Sequence, residues 1–88
     1  MGEKVKKNES TRTVLDGVII PSAWDEDDQV IAVSLAASDD HDYLIENGDK
    51  FIALIGMEIQ ADGVVTKTRR AQRSIRIKRY EVIEKSLV

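Results

Sequence analysis

The stretch MEIQADGVVTKTRRAQRSIRIKRYEV, residues 57–82, decides the fold because it joins two alternating apolar runs through a basic, turn-like segment. The first run places on one face the side chains of Met57, Ile59, Ala61, Gly63 and Val65. This period of two is typical of a half-buried strand. The second run has apolar residues at Ile75, Ile77, Tyr80 and Val82. Its alternation shifts by one residue at Lys78-Arg79, which a β-bulge accommodates, so the stretch predicts a long, bulged β-hairpin.

Three further segments with strand character precede the hairpin. TRTVLDGVII, residues 11–20, is rich in β-branched residues, and Gly17 marks a bend or a bulge within it. Pro21 is expected to end this strand, because proline lacks the N–H that pairing requires. QVIAVSLAAS, residues 29–38, predicts a second strand, and a short third strand ends near Glu46. The side chains expected to face inward from these two strands are Ile31, Val33, Leu35, Tyr43 and Ile45.

Residues 48–56 favour one short helix of about two turns. Apolar side chains fall at helical spacing at Phe51, Leu54 and Ile55. Asn47 or Asp49 could cap the start of this helix, and Gly56 stands where a left-handed residue commonly ends one. A further strand is the alternative, but the apolar residues here do not alternate. The predicted order is therefore three strands, a helix and two strands.

This order resembles the oligonucleotide/oligosaccharide-binding (OB) fold. The resemblance covers roughly residues 12–85 and is carried by LDGVIIP, WDEDDQVIAVSL and YLIENGDKFIALIGMEIQADGVV. These segments are similar to small bacterial single-domain members of the fold, whose function is mostly uncharacterised. The resemblance implies an all-β, five-stranded, partly open barrel with one short helix between strands 3 and 4. An SH3-like barrel is the alternative, although it does not normally need the helix.

The chain of 88 residues is expected to form one domain, residues 11–88, after a disordered arm, residues 1–10, which is polar and has no periodicity. No apolar run is long enough to span a membrane, and the arm lacks the apolar middle of a signal peptide. The absence of cysteine excludes disulfides and thiolate metal sites. We therefore expect a cytoplasmic monomer that does not associate with membranes.

The net charge of -3 conceals an uneven distribution. Residues 21–60 carry ten acidic residues and one lysine, whereas residues 61–88 carry eight cations and three acidic residues. A basic cluster of this kind neutralises phosphates without reading sequence. Two other interpretations remain open, namely a solvated hairpin whose charges prevent edge-to-edge pairing and a contact for an acidic protein partner. The candidate residues for contact with nucleic acid are Trp24, Lys67, Arg69, Arg70, Arg73, Arg76 and Lys78.

The resemblance also implies that the loop at residues 22–28 and the hairpin tip at residues 66–74 flank a binding face on strands 2 and 3. Members that bind nucleic acid stack bases on aromatic side chains of that face. The second strand here has no aromatic residue, and Tyr43 has the parity of the buried face. Trp24 could stack on a partner or cover the barrel end as a lid. The acidic residues 25–28 would lie near the cations and partly neutralise them.

Catalysis is not expected from this sequence. The acidic clusters at residues 25–28 and 39–42 lack the register of a calcium loop. His41 is the only imidazole, which excludes a multi-histidine zinc site, and no nucleophile elbow, P-loop or dinucleotide motif is present. We therefore expect a non-catalytic binding domain without cofactor or metal, whose function is weak, sequence-tolerant binding of single-stranded nucleic acid. The alternative is a protein-interaction or structural module.

Overall fold

A computed structural model describes residues 9–68, 70 and 72–83. Within them the protein is all-β, with five strands and two 3-10 turns. The strands are β1 (Glu9–Trp24), β2 (Val30–Ala37), β3 (Asp42–Ile45), β4 (Glu58–Lys67) and β5 (Arg73–Val82). The 3-10 turns, Gly48–Lys50 and Ile52–Leu54, lie between β3 and β4. The predicted fold class and the predicted order of the strands are therefore confirmed.

The five strands form one sheet that closes on itself in the order β1-β2-β3-β5-β4. Closure is possible because the first half of β1 pairs with β4 and its second half pairs with β2. The β3–β5 pairing is parallel and consists of Leu44 with Ser74 and Ile45 with Ile75. The other neighbours are antiparallel. The barrel-like sheet therefore combines long antiparallel pairings with one short parallel seam.

β1 is longer than the sequence predicts, at 16 residues. It begins at Glu9, before the predicted start, and continues past Pro21 to Trp24. The expectation that Pro21 ends the pairing is wrong, because Pro21 still faces Val33 of β2. The rest of the predicted N-terminal arm, residues 1–8, lies outside the described residues.

The position of Pro21 explains why β1 tolerates a residue without an N–H. The N–H of Ile19 donates to the carbonyl of Met57 at 3.1 Å, and the carbonyl of Ile19 accepts from the N–H of Gly56 at 2.7 Å. Both bonds lie on the edge of β1 that faces away from β2. Successive residues of a strand direct their backbone groups to alternate edges. Because Pro21 is two positions beyond Ile19, its missing N–H falls on that outer edge and removes no β1–β2 bond.

The β4–β5 hairpin contains the bulge that the sequence predicts. The register shifts by one residue beside the pair of Gly63 with Ile77, which leaves Lys78 as the extra residue of β5. Gly63 is buried, and a Cβ there would overlap the carbonyl oxygen of Arg76 and lie 2.9 Å from the Cα of Ile77. The two strands therefore approach so closely that only glycine fits at position 63.

The core fills the interior of the sheet, where the largest fully buried side chains of the described residues are Ile19, Val33, Leu35, Ile59 and Ile75. Tyr43 and Ile45 are also buried, as predicted. The prediction for Ile31 is wrong, since its side chain is 58% exposed. The β1–β2 register passes over Ile31 between the paired residues Val30 and Ala32. This irregularity breaks the alternation of β2 and takes Ile31 out of the core.

The segment between β3 and β4 forms two 3-10 turns rather than the predicted two-turn helix. Asn47, a predicted cap, makes no capping hydrogen bond through its side chain. Its amide instead donates to the carbonyl of Ile77 at 2.8 Å and accepts from the N–H of Ile77 at 3.0 Å. The side chain of Asn47 thus adds two hydrogen bonds to the pairing between β3 and β5. Gly56 has a φ of 90°, which agrees with its predicted left-handed position.

We predict that Gly63→Ala destabilises the protein by about 1–3 kcal/mol, because the added methyl group would overlap the β5 backbone, which cannot move aside cheaply. Gly56→Ala is the comparison, because position 56 has open space around it but a positive φ. Any loss of stability in that variant comes from backbone conformation and not from added volume. The measurement is the free energy of unfolding in denaturant. An unchanged value for Gly63→Ala would show that the close approach of β4 and β5 is absent.

We also predict that Asn47→Ala lowers the free energy of unfolding by about 1–3 kcal/mol, because both backbone groups of Ile77 lose their partner in a partly buried place. Asp49→Ala is the matched control, since Asp49 is an exposed residue of the adjacent 3-10 turn. It should change stability by no more than about 0.5 kcal/mol. Equal effects of the two substitutions would refute the role given to Asn47.

Candidate nucleic-acid interface

The predicted cations lie together on the β4–β5 hairpin. Lys67 ends β4 and pairs with Arg73, the first residue of β5. Arg70 lies in the connecting turn, and Arg76 and Lys78 follow along β5. All of these side chains are exposed except that of Arg73, which is partly buried. One local element therefore carries five of the predicted site residues.

Thr68 closes the turn that carries the basic tip. Its Oγ1 accepts hydrogen bonds from the N–H groups of Arg70 at 3.3 Å and Gln72 at 3.2 Å. The N–H of Thr68 donates to the carbonyl of Gln72 at 2.9 Å. Arg69, the other predicted cation of the turn, lies outside the described residues. The side chain of Thr68 thereby fixes the backbone of the turn that carries Arg70.

Asp62 is an acidic residue on the outer face of β4, and it is held by Arg12 of β1. Nε and Nη2 of Arg12 donate to the two carboxylate oxygens of Asp62 at 2.7 and 3.3 Å. This hydrogen bond keeps the pKa of the Asp62 carboxyl below its ordinary value. Asp62 is therefore paired mainly with Arg12, and the charge of Arg79 opposite it adds a smaller attraction. Among the described residues, no salt bridge is made by Lys67, Arg70, Arg76 or Lys78.

Arg12 and Arg79 belong to the same outer surface, and sequence reasoning did not find them. Arg79 is exposed on β5, opposite Asp62 in the register. Arg12 pairs with Val64 of β4, which brings it beside the hairpin from a distant part of the chain. The alternation of β1 was a signal that Arg12 faces outward, but only the β1–β4 register shows which strand it meets.

A groove of about 580 Å³ lies beside the hairpin, on the face of β2 and β3 where the resemblance implies binding. Leu44 of β3 is 46% exposed in it. Two carboxylates, those of Asp42 and Glu46, flank Leu44 on the same strand face, and Glu46 accepts a 2.7 Å hydrogen bond from the Ser74 hydroxyl. The groove therefore lacks aromatic rings and carries negative charge. Its lining consists of Ser34, Asp42, Leu44, Glu46, Thr68, Gln72, Arg73 and Ser74.

The two tyrosine side chains make contacts within the fold. Tyr43 is buried, and its hydroxyl donates to Oδ2 of Asp39 at 2.6 Å. That hydrogen bond lowers the pKa of the Asp39 carboxyl, while burial raises the pKa of the Tyr43 phenol. Tyr80 is 46% exposed, but its ring meets Phe51 edge-on, with the centroids 5.1 Å apart. Buried Tyr43 therefore offers no ring for a base, and half-exposed Tyr80 lines a separate pocket with Arg79 rather than the groove.

Trp24 lies at the opposite end of β1 from the hairpin tip. The register pairs Glu9 with Lys67 at the start of β1 and Trp24 with Val30 at its end. The Trp24 side chain is 53% exposed and adjoins the acidic loop at residues 25–28. No ion pair among the described residues joins this loop to the hairpin cations. The acidic loop therefore does not neutralise the hairpin of its own chain, contrary to expectation.

Comparison with known proteins gives no match to a protein-family model, a curated protein or a solved structure. In the part of the chain that the structure describes, no helix has the length and apolar character needed to cross a membrane. No group of three or more acidic or histidine side chains converges as a metal site among the same residues.

We predict that Tyr43→Phe costs about 0.5–1.5 kcal/mol at neutral pH, because it removes the hydrogen bond to Asp39. The pKa of Asp39 is lowered in the folded state, so this stabilisation is present above the ordinary carboxyl pKa and is lost as the pH falls through the folded value. The difference in free energy of unfolding between wild type and Tyr43→Phe should therefore shrink in acid. Tyr80→Phe serves as the control. A difference for Tyr43→Phe that stays constant down to about pH 2, below the usual carboxyl range, would contradict the assignment.

Proposed function

We propose that this protein is a non-catalytic, OB-like binding domain that holds single-stranded nucleic acid weakly and without sequence preference, through its β4–β5 hairpin. The observation that carries the proposal is the set of exposed hairpin cations that form no salt bridge among the described residues, Lys67, Arg70, Arg76 and Lys78. Their spacing along the two-stranded hairpin suits a flexible phosphate chain. Cations of this kind supply affinity through release of counterions.

The arrangement of the strands supports the OB assignment. The five-stranded sheet closes, and a short helical segment separates β3 from β4. In that fold the faces of strands 2 and 3 and the loops that follow strands 1 and 4 bind oligonucleotides or oligosaccharides. The hairpin tip is the second of these loops. The fold hosts unrelated functions, so the argument for nucleic acid rests on the cations.

The expected contact is with phosphates rather than bases. Asp42 and Glu46 place negative charge in the groove, which disfavours a phosphate chain there, and no ring in the groove can stack a base. A bound strand would therefore follow the outer face of the hairpin, near Arg76 and Lys78. Stacking contributes roughly 1–3 kcal/mol per base in aromatic sites, so its absence limits the affinity. Trp24 would be reached only by a strand long enough to cross from the hairpin to the far end of β1.

The alternative is a protein-interaction module, and the groove is the observation that favours it. Leu44 gives the groove a half-exposed apolar surface, while Ser34, Gln72 and Ser74 line the groove with hydrogen-bonding groups. Such a lining suits an extended peptide better than a polyanion. A second form of the protein-interaction module would bind an acidic protein partner on the hairpin instead of a peptide in the groove.

We predict that the logarithm of the affinity for a labelled oligothymidylate falls with the logarithm of salt concentration at a slope of roughly -2 to -3.5. This range follows from about three to five phosphate contacts, each contributing about -0.7 for a single strand. The triple substitution Arg70→Gln, Arg76→Gln and Lys78→Gln should flatten the slope by about 2. Fluorescence anisotropy of the dilute labelled oligonucleotide during titration with the protein provides the measurement.

Single substitutions give a matched control for this experiment. Lys78→Gln and Lys50→Gln each remove one exposed lysine, but only Lys78 lies on the hairpin. Lys78→Gln should weaken binding severalfold, while Lys50→Gln should leave it nearly unchanged. Trp24 is the only tryptophan, so its fluorescence reports separately whether a strand reaches the other end of β1. Equal losses for the two lysines, or no binding at low salt, would exclude the hairpin as a nucleic-acid site.

A further inference from the structure

Two loops of this protein are built on the same hydrogen-bond pattern and carry opposite charge. In the loop between β1 and β2, Oδ1 of Asp25 accepts from the N–H groups of Asp27 at 2.8 Å and Gln29 at 3.0 Å. The N–H of Asp25 donates to the carbonyl of Gln29 at 2.9 Å. Thr68 makes the same three bonds with the second and fourth residues after it in the loop between β4 and β5. Both loops are therefore closed turns, one acidic and one basic.

The acidic loop ends a two-stranded arm formed by the second half of β1 and the first half of β2. The β1–β4 register ends at Val18, and the bonds from Ile19 to Gly56 and Met57 follow it, so β1 continues from Ile20 to Trp24 with β2 as its only paired strand. Trp24 and Ile31 of this arm are 53% and 58% exposed. Two-stranded ribbons are marginally stable alone, and apolar side chains left on them gain from being covered. Within the described residues, no salt bridge is made by Glu26, Asp27 or Asp28.

We propose that the acidic arm of one molecule docks on the basic β4–β5 hairpin of a second copy of this chain. The argument for a second copy is charge complementarity, because each molecule carries the cationic surface that its own arm cannot meet from the opposite end of β1. The arm also brings Trp24 and Ile31, which can pack on the aliphatic stems of Arg76 and Lys78 and on the guanidinium of Arg76. This contact goes beyond the proposed function and does not depend on it.

The contact uses two different surfaces of the chain, and this determines how copies assemble. Two molecules lying antiparallel would form the contact twice and stop as a dimer, whereas molecules in a head-to-tail row would form open chains. Both assemblies contain the same arm-to-hairpin contact. The molecular mass that the assembly reaches at high protein concentration distinguishes the closed dimer from open chains.

The test is sedimentation of the protein alone at about 20 mM and about 500 mM salt, because screening at the higher salt weakens a contact between exposed charges. Wild type should associate at low salt and return to the monomer mass at high salt. The arm variant Glu26→Gln, Asp27→Asn, Asp28→Asn should associate at least tenfold more weakly, and so should the hairpin variant Arg70→Gln, Arg76→Gln, Lys78→Gln. Asp28 has a φ of 63°, which asparagine also tolerates, so the arm variant keeps its turn.

Mixing the two variants is the decisive step, because each retains the surface that the other has lost. The mixture should form one-to-one pairs with an affinity well above that of either variant alone, and acrylamide should quench Trp24 of the hairpin variant less in these pairs. The control Asp40→Asn, Asp49→Asn removes two exposed acidic charges outside both the arm and the groove and should associate like wild type. Wild type that stays monomeric at about 1 mM protein, corresponding to a free energy near -4.1 kcal/mol, would overturn the proposal. A mixture that does not pair would overturn it as well, whatever the result with oligonucleotides.

Discussion

Closure of the sheet depends on the amide of Asn47, which binds both backbone groups of Ile77. β3 has only four residues and gives β5 two register pairs, followed by the 2.8 Å bond from the Glu46 N–H to the Ile75 carbonyl. Parallel neighbours cannot be joined by a tight turn, so no local connection holds this seam. A side chain with one donor and one acceptor replaces the missing strand residue. The start of β5 is thereby fixed beside Leu44, which forms the groove and sets the direction of the hairpin.

Two glycines make the rest of the ring possible, since each lies where one strand crosses another at close range. Gly17 pairs with Ala37 of β2 and with Ile59 of β4, at the point where β1 passes from one partner to the other. A Cβ at this position would lie 2.6 Å from the carbonyl oxygen of Ala36. Gly63 has the same role opposite the bulge of β5. A single strand can therefore serve two neighbours, and the sheet closes with five strands instead of remaining open.

Features that depend on local alternation were predictable from the sequence, and features that depend on register were not. The hairpin, the bulge beside Lys78 and the inward side chains of β3 follow from the period of two. Ile31 was misplaced because a register irregularity inside β2 is visible only when β1 lies opposite it. The helix was predicted because capping residues and spacing agreed, but Asn47 is used across the seam rather than at a helix start. The pairing of Arg12 with Asp62 joins residues 50 positions apart, which no local pattern reveals.

The fold determines how far apart the acidic and basic segments of the chain lie. A strand of 16 residues separates the acidic turn from the basic one, so the two cannot neutralise each other within one molecule. Exposed charges attract partners only within about a Debye length, roughly 8 Å at physiological salt, and each turn therefore presents its own field to solvent. A nucleic-acid strand and the arm of a second copy would both bring anionic groups to Arg76 and Lys78. Since one set of cations cannot hold both at full strength, the two proposed partners would compete wherever both are present.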